Sequence, residues 1–169
     1  GEALFNEVFL DNVFIPDEMV VGEVNGGWKL TRTTLANERV AMGGHRLGDS
    51  VERAVTLLAG DPVKEYEVGK AVGWATTTKL LSNRALMRSL AGAAPGAESS
   101  VAKLVGVRSR QDSAELVVNL LGDRIFSGDE LSTAAMHEQL LTRCLSIAGG
   151  TTQVLRNVAG ERILGLPRG

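Results

Sequence analysis

The sequence predicts an all-α fold, a four- to five-helix up-and-down bundle preceded by a short extended or β segment. Three observations carry this. Only 4% of the residues are aromatic while Leu, Ala and Val abound, a composition suited to helix-on-helix packing rather than to a sandwich of short strands. Apolar residues recur at helical spacing along most of the chain. Clusters of Gly, Pro and Asp cut that pattern into helix-sized pieces. At 169 residues and 44% hydrophobic content, the chain is long enough to bury one core without metal or disulfide support.

From Leu4 to Ile15, LFNEVFLDNVFI mixes β-branched and aromatic residues with polar ones and stops at Pro16-Asp17, as a short strand does. Little else in the chain reads as strand. This piece therefore lies on the helices as an extended arm or belongs to a β-domain ahead of them. The chain opens on Gly rather than Met, directly into this segment, and we expect it to be cut from a longer protein.

After the turn-rich stretch from Gly22 to Gly27, Trp28, Leu35 and Met42 recur at sevens. Leu47, Val51, Ala54, Val55 and Leu58 continue the stripe, which predicts one long first helix ending near Gly60. Asp61-Pro62 then punctuates the chain and places Pro at a helix start, where its missing N–H costs least. A second helix runs to about Ala91. GAAPGAESS, Gly92 to Ser100, is a linker, and its two serines are candidates to cap the helix carrying Val101, Leu104, Val105, Leu116, Leu120 and Leu121. Gly122-Asp123 ends that helix. Another covers about Leu131 to Cys144, and a last one runs from Gly149-Gly150 to about Leu164. Trp28 and Trp74 fall on helical stripes and are expected in the core; Cys144, beside Leu145, is expected buried and inert.

The net charge of -2 and the lack of a Lys/Arg run give no electrostatic ground for nucleic-acid binding. The single cysteine forms no internal disulfide, and no C-x-x-C or H-E-x-x-H motif points to a metal. No apolar stretch approaches the roughly 20 residues of a membrane span. A cytoplasmic protein is the expectation. His45 and His137 are far apart in sequence without a carboxylate pattern beside them, and both are expected to be structural.

The richest chemistry lies in IAGGTTQVLRNVAGERILGLPR, Ile147 to Arg168. Two glycines and two threonines open a helix there. Its first N–H groups and positive dipole end suit an anion or an electron-rich carbonyl, and the glycines permit close approach. Plain helix capping, with Gly150 as N-cap and Gln153 three residues on, explains the same pattern.

The segment GGTTQVLRNVAGERILGLPR resembles the terminal motif of the acyl-CoA dehydrogenases. DNVFIPDEMVVGEVNGGWKLTRTTLANERVAMGG resembles the junction between β-domain and helical domain in the same family. The resemblance implies residues 1–25 as the end of a β-domain and its linker, and 26–169 as a C-terminal helical bundle domain. It implies α,β-desaturation of an acyl-CoA thioester in lipid catabolism. A Glu removes the α-proton, and hydride passes to N5 of FAD held by the full-length enzyme; the piece alone is not expected to hold FAD or turn over. Electron-transfer flavoprotein is the implied acceptor, and a dimer or tetramer, of like or unlike subunits, the implied assembly.

Many family members carry the base as Glu in a Y-E-G-T run. Here the matching residues are Ala148-Gly149-Gly150-Thr151, with Gly at the Glu position. A smaller group, the isovaleryl-CoA and long-chain enzymes, places Glu on the first long helix directly before Arg. Glu38-Arg39 stands at that place, so the resemblance makes Glu38 the base; a Glu paired with a nearby Arg on a solvated helix face is the alternative. Arg39 is implied to orient the site or the substrate end, Gly150 to lie near the thioester, and Thr151, Thr152 and Gln153 to approach the flavin. Two runs depart from the family. Asp61 to Lys70 replaces an R-x-x-F-G sequence that reaches the neighbouring subunit's flavin, and Asn119 to Phe126 replaces a Q-x-x-G-G element. A non-catalytic subunit of a heteromeric enzyme, or an acyl-CoA oxidase or nitroalkane oxidase type of flavoenzyme, are the competing expectations.

Overall fold

A computed structural model describes residues 6–42, 49–58 and 60–168, with the side chains of 41 and 42 left aside. Among the described residues there are six α-helices and no strand: α1 (Gly27–Met42), α2 (Asp49–Thr56), α3 (Pro62–Leu90), α4 (Glu98–Leu121), α5 (Glu130–Leu141) and α6 (Thr152–Arg162). Short 3₁₀ turns cover Asp17–Met19, Gly122–Phe126 and Thr142–Ser146. The all-α class is as expected. The count exceeds five because the stretch read as one first helix is described as α1 and α2; residues 43–48, with His45 and Leu47, lie outside the described residues.

The described residues form two compact units, divided between Thr33 and Thr34. In the first, the expected strand forms no ladder: residues 6–10 carry no regular secondary structure, and Val8, Phe9, Leu10 and Phe14 stand exposed. A strand's N–H and C=O groups need a pairing partner, and none is present among the described residues. Pro16 leads into the 3₁₀ turn, closed by Met19 N–H donating to the Pro16 carbonyl at 2.9 Å. Asn25, at φ +65°, turns the chain into α1, and Gly26 N–H donates to the Glu23 carbonyl at 2.8 Å.

The second unit is built around α4, against which α2, α3, α5 and α6 pack. Small buried residues let the neighbours approach α4 closely: Gly106, Ser109, Ser113 and Ala114. Ser113 remains satisfied by donating to the Ser109 carbonyl one turn back, at 2.7 Å. The apolar centre joins Ala54, Val68, Val117, Leu121 and Ala135, with Leu57, Leu116, Leu120, Ile125 and Leu131 packed around it. Arg110 grips Glu138 with two hydrogen bonds, at 2.7 and 3.2 Å, and so ties α4 to α5. That pairing holds the guanidinium above its ordinary proton affinity, chiefly through the hydrogen bond to Glu138.

Helix ends follow local chemistry. Pro62 stands in the first turn of α3, as the sequence predicts, and the Asp61 carboxylate caps that helix by accepting from Val63 N–H at 3.0 Å. Gly122, at φ +52°, ends α4. Asp129 caps α5 by accepting from Ser132 N–H at 2.8 Å and also binds Arg124 at 2.9 Å. Its carboxyl is held well below the usual carboxylate range, first by that N–H and then by Arg124.

Four expectations are corrected. Ser99 and Ser100 do not cap α4: the cap position is Ala97 with no side-chain bond, and both serines are buried inside the first turn. The N-cap of α6 is Thr151, not Gly150; its hydroxyl accepts from Val154 N–H at 3.3 Å. Trp28 and Trp74 are exposed, at 72% and 44%, because a helical stripe marks an apolar face without saying what covers it. Cys144 is exposed as well, at the 3₁₀ turn that follows α5.

Candidate active site

Glu38 and Arg39 are consecutive on α1, so their side chains leave the helix about 100° apart. Glu38 is exposed and Arg39 half-buried. The Arg39 guanidinium donates through Nε to the Gly149 carbonyl at 3.0 Å, across 110 residues of sequence. The first helix is thereby joined to the turn that opens α6.

That turn depends on its two glycines. Gly149 has φ +64° and Gly150 φ +111°, backbone that glycine adopts without a Cβ penalty. A Cβ on Gly150 would lie 3.5 Å from Leu155 Cδ2 and 3.6 Å from Arg39 Nη2, ordinary contact distances, so conformation rather than space selects glycine there. Leu155, 1% exposed, forms the floor of the turn and is the buried anchor of α6.

Lys103, on α4, comes to the same place. It is 1% exposed, and its Nζ donates to the carbonyls of Ala148 and Gly150, the latter at 2.7 Å. Burial lowers its proton affinity first; Glu38 opposes that effect and Arg39 adds to it, so the three charges share one neighbourhood. Sequence reasoning missed Lys103. The signal was available, since Ser100, Lys103, Val107, Ala114, Val117 and Leu121 lie on one stripe at three-, four- and seven-residue steps, and a lysine inside a buried stripe marks a held charge.

Of the expected site residues, the structure therefore joins Arg39 to Gly149 and Gly150, with Glu38 beside Arg39 and Thr151 beside Gly150. Thr151 is occupied in capping, Thr152 Oγ1 lies 3.5 Å from the Ser146 carbonyl it faces, and Gln153 is exposed on the first turn. Among the described residues, no cluster of His, Cys, Asp or Glu is disposed to hold a metal, and no helix is long and apolar enough to cross a membrane.

The described bundle is centred on α4, and its first helix is tied by Arg39 to the glycine turn at the head of its last. The chain matches the family described as "Acyl-CoA dehydrogenase, C-terminal domain" over residues 25–164, and it belongs to that family. It is 49% identical over 172 aligned residues to acyl-CoA dehydrogenase FadE34 of Mycobacterium tuberculosis, covering 99% of this chain and 24% of the relative. Acyl-CoA dehydrogenase IpdE1 of the same organism is 32% identical over 182 residues, covering 99% of this chain and 46% of that one. A solved structure titled "Tcur3481-Tcur3483 steroid ACAD" superposes with a TM-score of 0.81 at 25% identity, covering 95% of this chain and 45% of that chain. The chain thus spans less than half the length of these relatives.

Proposed function

We propose that this chain is the C-terminal domain of a flavin-dependent dehydrogenase that desaturates the α,β-bond of an acyl-CoA thioester, with Glu38 removing the α-proton. The observation that carries the proposal is the Arg39–Gly149 hydrogen bond, which brings the helix bearing Glu38 to the turn that resembles the family's terminal motif. Gly149 has no side chain to supply a base, and its φ of +64° disfavours one. Glu38, exposed on α1, has an open side from which a substrate can approach.

An α-proton beside a thioester is too weak an acid for a carboxylate in water. The site must exclude solvent and polarise the carbonyl as charge develops. The first turn of α6 offers unsatisfied N–H groups and a positive dipole end for that purpose. The hydroxyls of Thr151 and Thr152 and the exposed amide of Gln153 form a neutral donor and acceptor set that fits the polar edge of a flavin. FAD, when bound, supplies the hydride acceptor; Arg39 holds the turn and Glu38 takes the proton. Electron-transfer flavoprotein in the cytosol is the acceptor we assign, and, by analogy with the structure titled as a steroid ACAD, a ring-bearing acyl group the substrate.

The test is flavin reduction in the full-length protein, with any partner subunits, under single-turnover conditions. Glu38→Gln should slow reduction by roughly 10²–10⁴-fold, and a steroid acyl-CoA should outcompete a straight-chain one. Reduction at the wild-type rate in Glu38→Gln removes Glu38 from the mechanism. The glycine at position 149 also supports a second reading, a non-catalytic subunit of a heteromer; a protomer that binds no flavin in the intact complex would favour it.

A further inference from the structure

Lys103 has no place in the reaction as set out above, yet among the described residues it is the largest of the side chains below 2% exposure. A buried ammonium is costly to desolvate, and a Met would fill the same volume without that cost. Its hydrogen bonds go to main-chain carbonyls, of Ala148 and Gly150. The carbonyl between them, that of Gly149, accepts from Arg39 at 3.0 Å. Three consecutive carbonyls are thus held by two cations, one from α1 and one from α4. Both glycines have positive φ, so the path of this turn is one of several that a glycine pair can take. The cations select among them.

We propose that Lys103 is a positioning residue for the desaturation: by gripping the carbonyls on either side of Gly149 it fixes the glycine turn, and with it the first turn of α6, relative to Glu38. This rests on reading Glu38 as the base and residues 149–153 as the thioester and flavin side of the site. At 1% exposure the ammonium has no route to substrate, so Lys103 acts through the backbone it holds. Removing it leaves the Ala148 and Gly150 carbonyls without their donor and frees the turn while Leu155 still anchors the helix.

The experiment uses the full-length protein with its partner subunits and compares wild type with Lys103→Met, Lys103→Gln and Lys103→Arg. Three quantities are measured: flavin per protomer, amide hydrogen exchange across residues 147–155, and the rate and half-saturation of flavin reduction by acyl-CoA. Lys103→Met should keep its flavin, exchange the 149–153 amides at least about tenfold faster, and lose about a hundredfold in reduction rate, the scale of a 1 Å misplacement, with half-saturation little changed. Lys103→Arg should recover part of the rate, and Lys103→Gln, able to reach one carbonyl, should fall between. A rate per bound flavin equal to wild type in Lys103→Met overturns the proposal, as does slow reduction with unchanged exchange. If the Met and Gln variants fail to fold while Arg folds, Lys103 serves core stability and the proposal is lost. A wild-type enzyme that no acyl-CoA reduces refutes the reaction alone; faster exchange in the Met variant then still supports the hold on the turn, and unchanged exchange removes it.

Discussion

Leu155→Ala offers a quantitative probe of how α6 is held. Leu155 is the buried residue of this helix, 1% exposed, with its Cδ2 against the Gly150 turn. Truncation removes three carbons beyond Cβ, about 2.4 kcal/mol at about 0.8 kcal/mol per methylene, and the cavity left behind raises the cost into the range of about 2–5 kcal/mol. A loss of about 3 kcal/mol corresponds to roughly a hundredfold rise in the opening equilibrium. Because one side chain carries the docking, the loss should be local to α6. Hydrogen exchange on the full-length protein reads it: amides of α6 should exchange roughly a hundredfold faster, while those in the middle of α4, around Ala114 and Val117, keep their protection. Val154→Ala, at a position 49% exposed, should change α6 exchange little. A Leu155→Ala effect below about fivefold on α6, or an equal loss in α4 and α6, refutes the reasoning that a single buried leucine anchors the helix.

Gly150→Ala tests conformation against space. A methyl group there meets only ordinary contacts, so the expected loss of about 1–3 kcal/mol comes from φ +111° alone and should appear as a lower thermal midpoint. A midpoint equal to wild type would mean the turn adopts a path open to alanine. Asp129→Asn tests the cap of α5. Since the folded carboxyl is held below the usual range, its stabilisation is fully present above the unfolded value of about 3.9 and is lost as pH falls through the folded value. The thermal-midpoint gap between wild type and Asp129→Asn should therefore stay constant from neutral pH down to about pH 4 and close only below it. A gap that closes between pH 7 and 5 would assign the effect to another group.

The residues legible from the sequence share one property: their role is decided by their neighbours in the chain. Asp61-Pro62 starts α3 and Gly122 stops α4 as the local pattern says, because caps and left-handed turns are settled within a few residues. Misread residues depend on what lies across from them. Ser99 and Ser100 have the chemistry of caps, but their helix begins at Glu98 and draws them inward. Ser99 still donates to the Gly96 carbonyl at 2.7 Å, whereas Ser100 Oγ has no partner among the described residues. Trp74 falls on a helical stripe in the sequence, yet it stands 44% exposed on α3. Periodicity finds such a stripe but not its cover.

By itself the sequence determined the helical class, most helix ends, the glycine pair ahead of the last helix and, through its resemblance to the family, the choice of Glu38 and Arg39. Only the tertiary structure decided that Arg39 reaches Gly149 and that Lys103, unnoticed in its stripe, closes on the carbonyls to either side. The physical reason is range. A helix records in its spacing which face turns inward, over three or four residues. The partner that a buried cation finds, 110 residues away for Arg39 and 45 for Lys103, is set by how the helices pack, and no local pattern carries it.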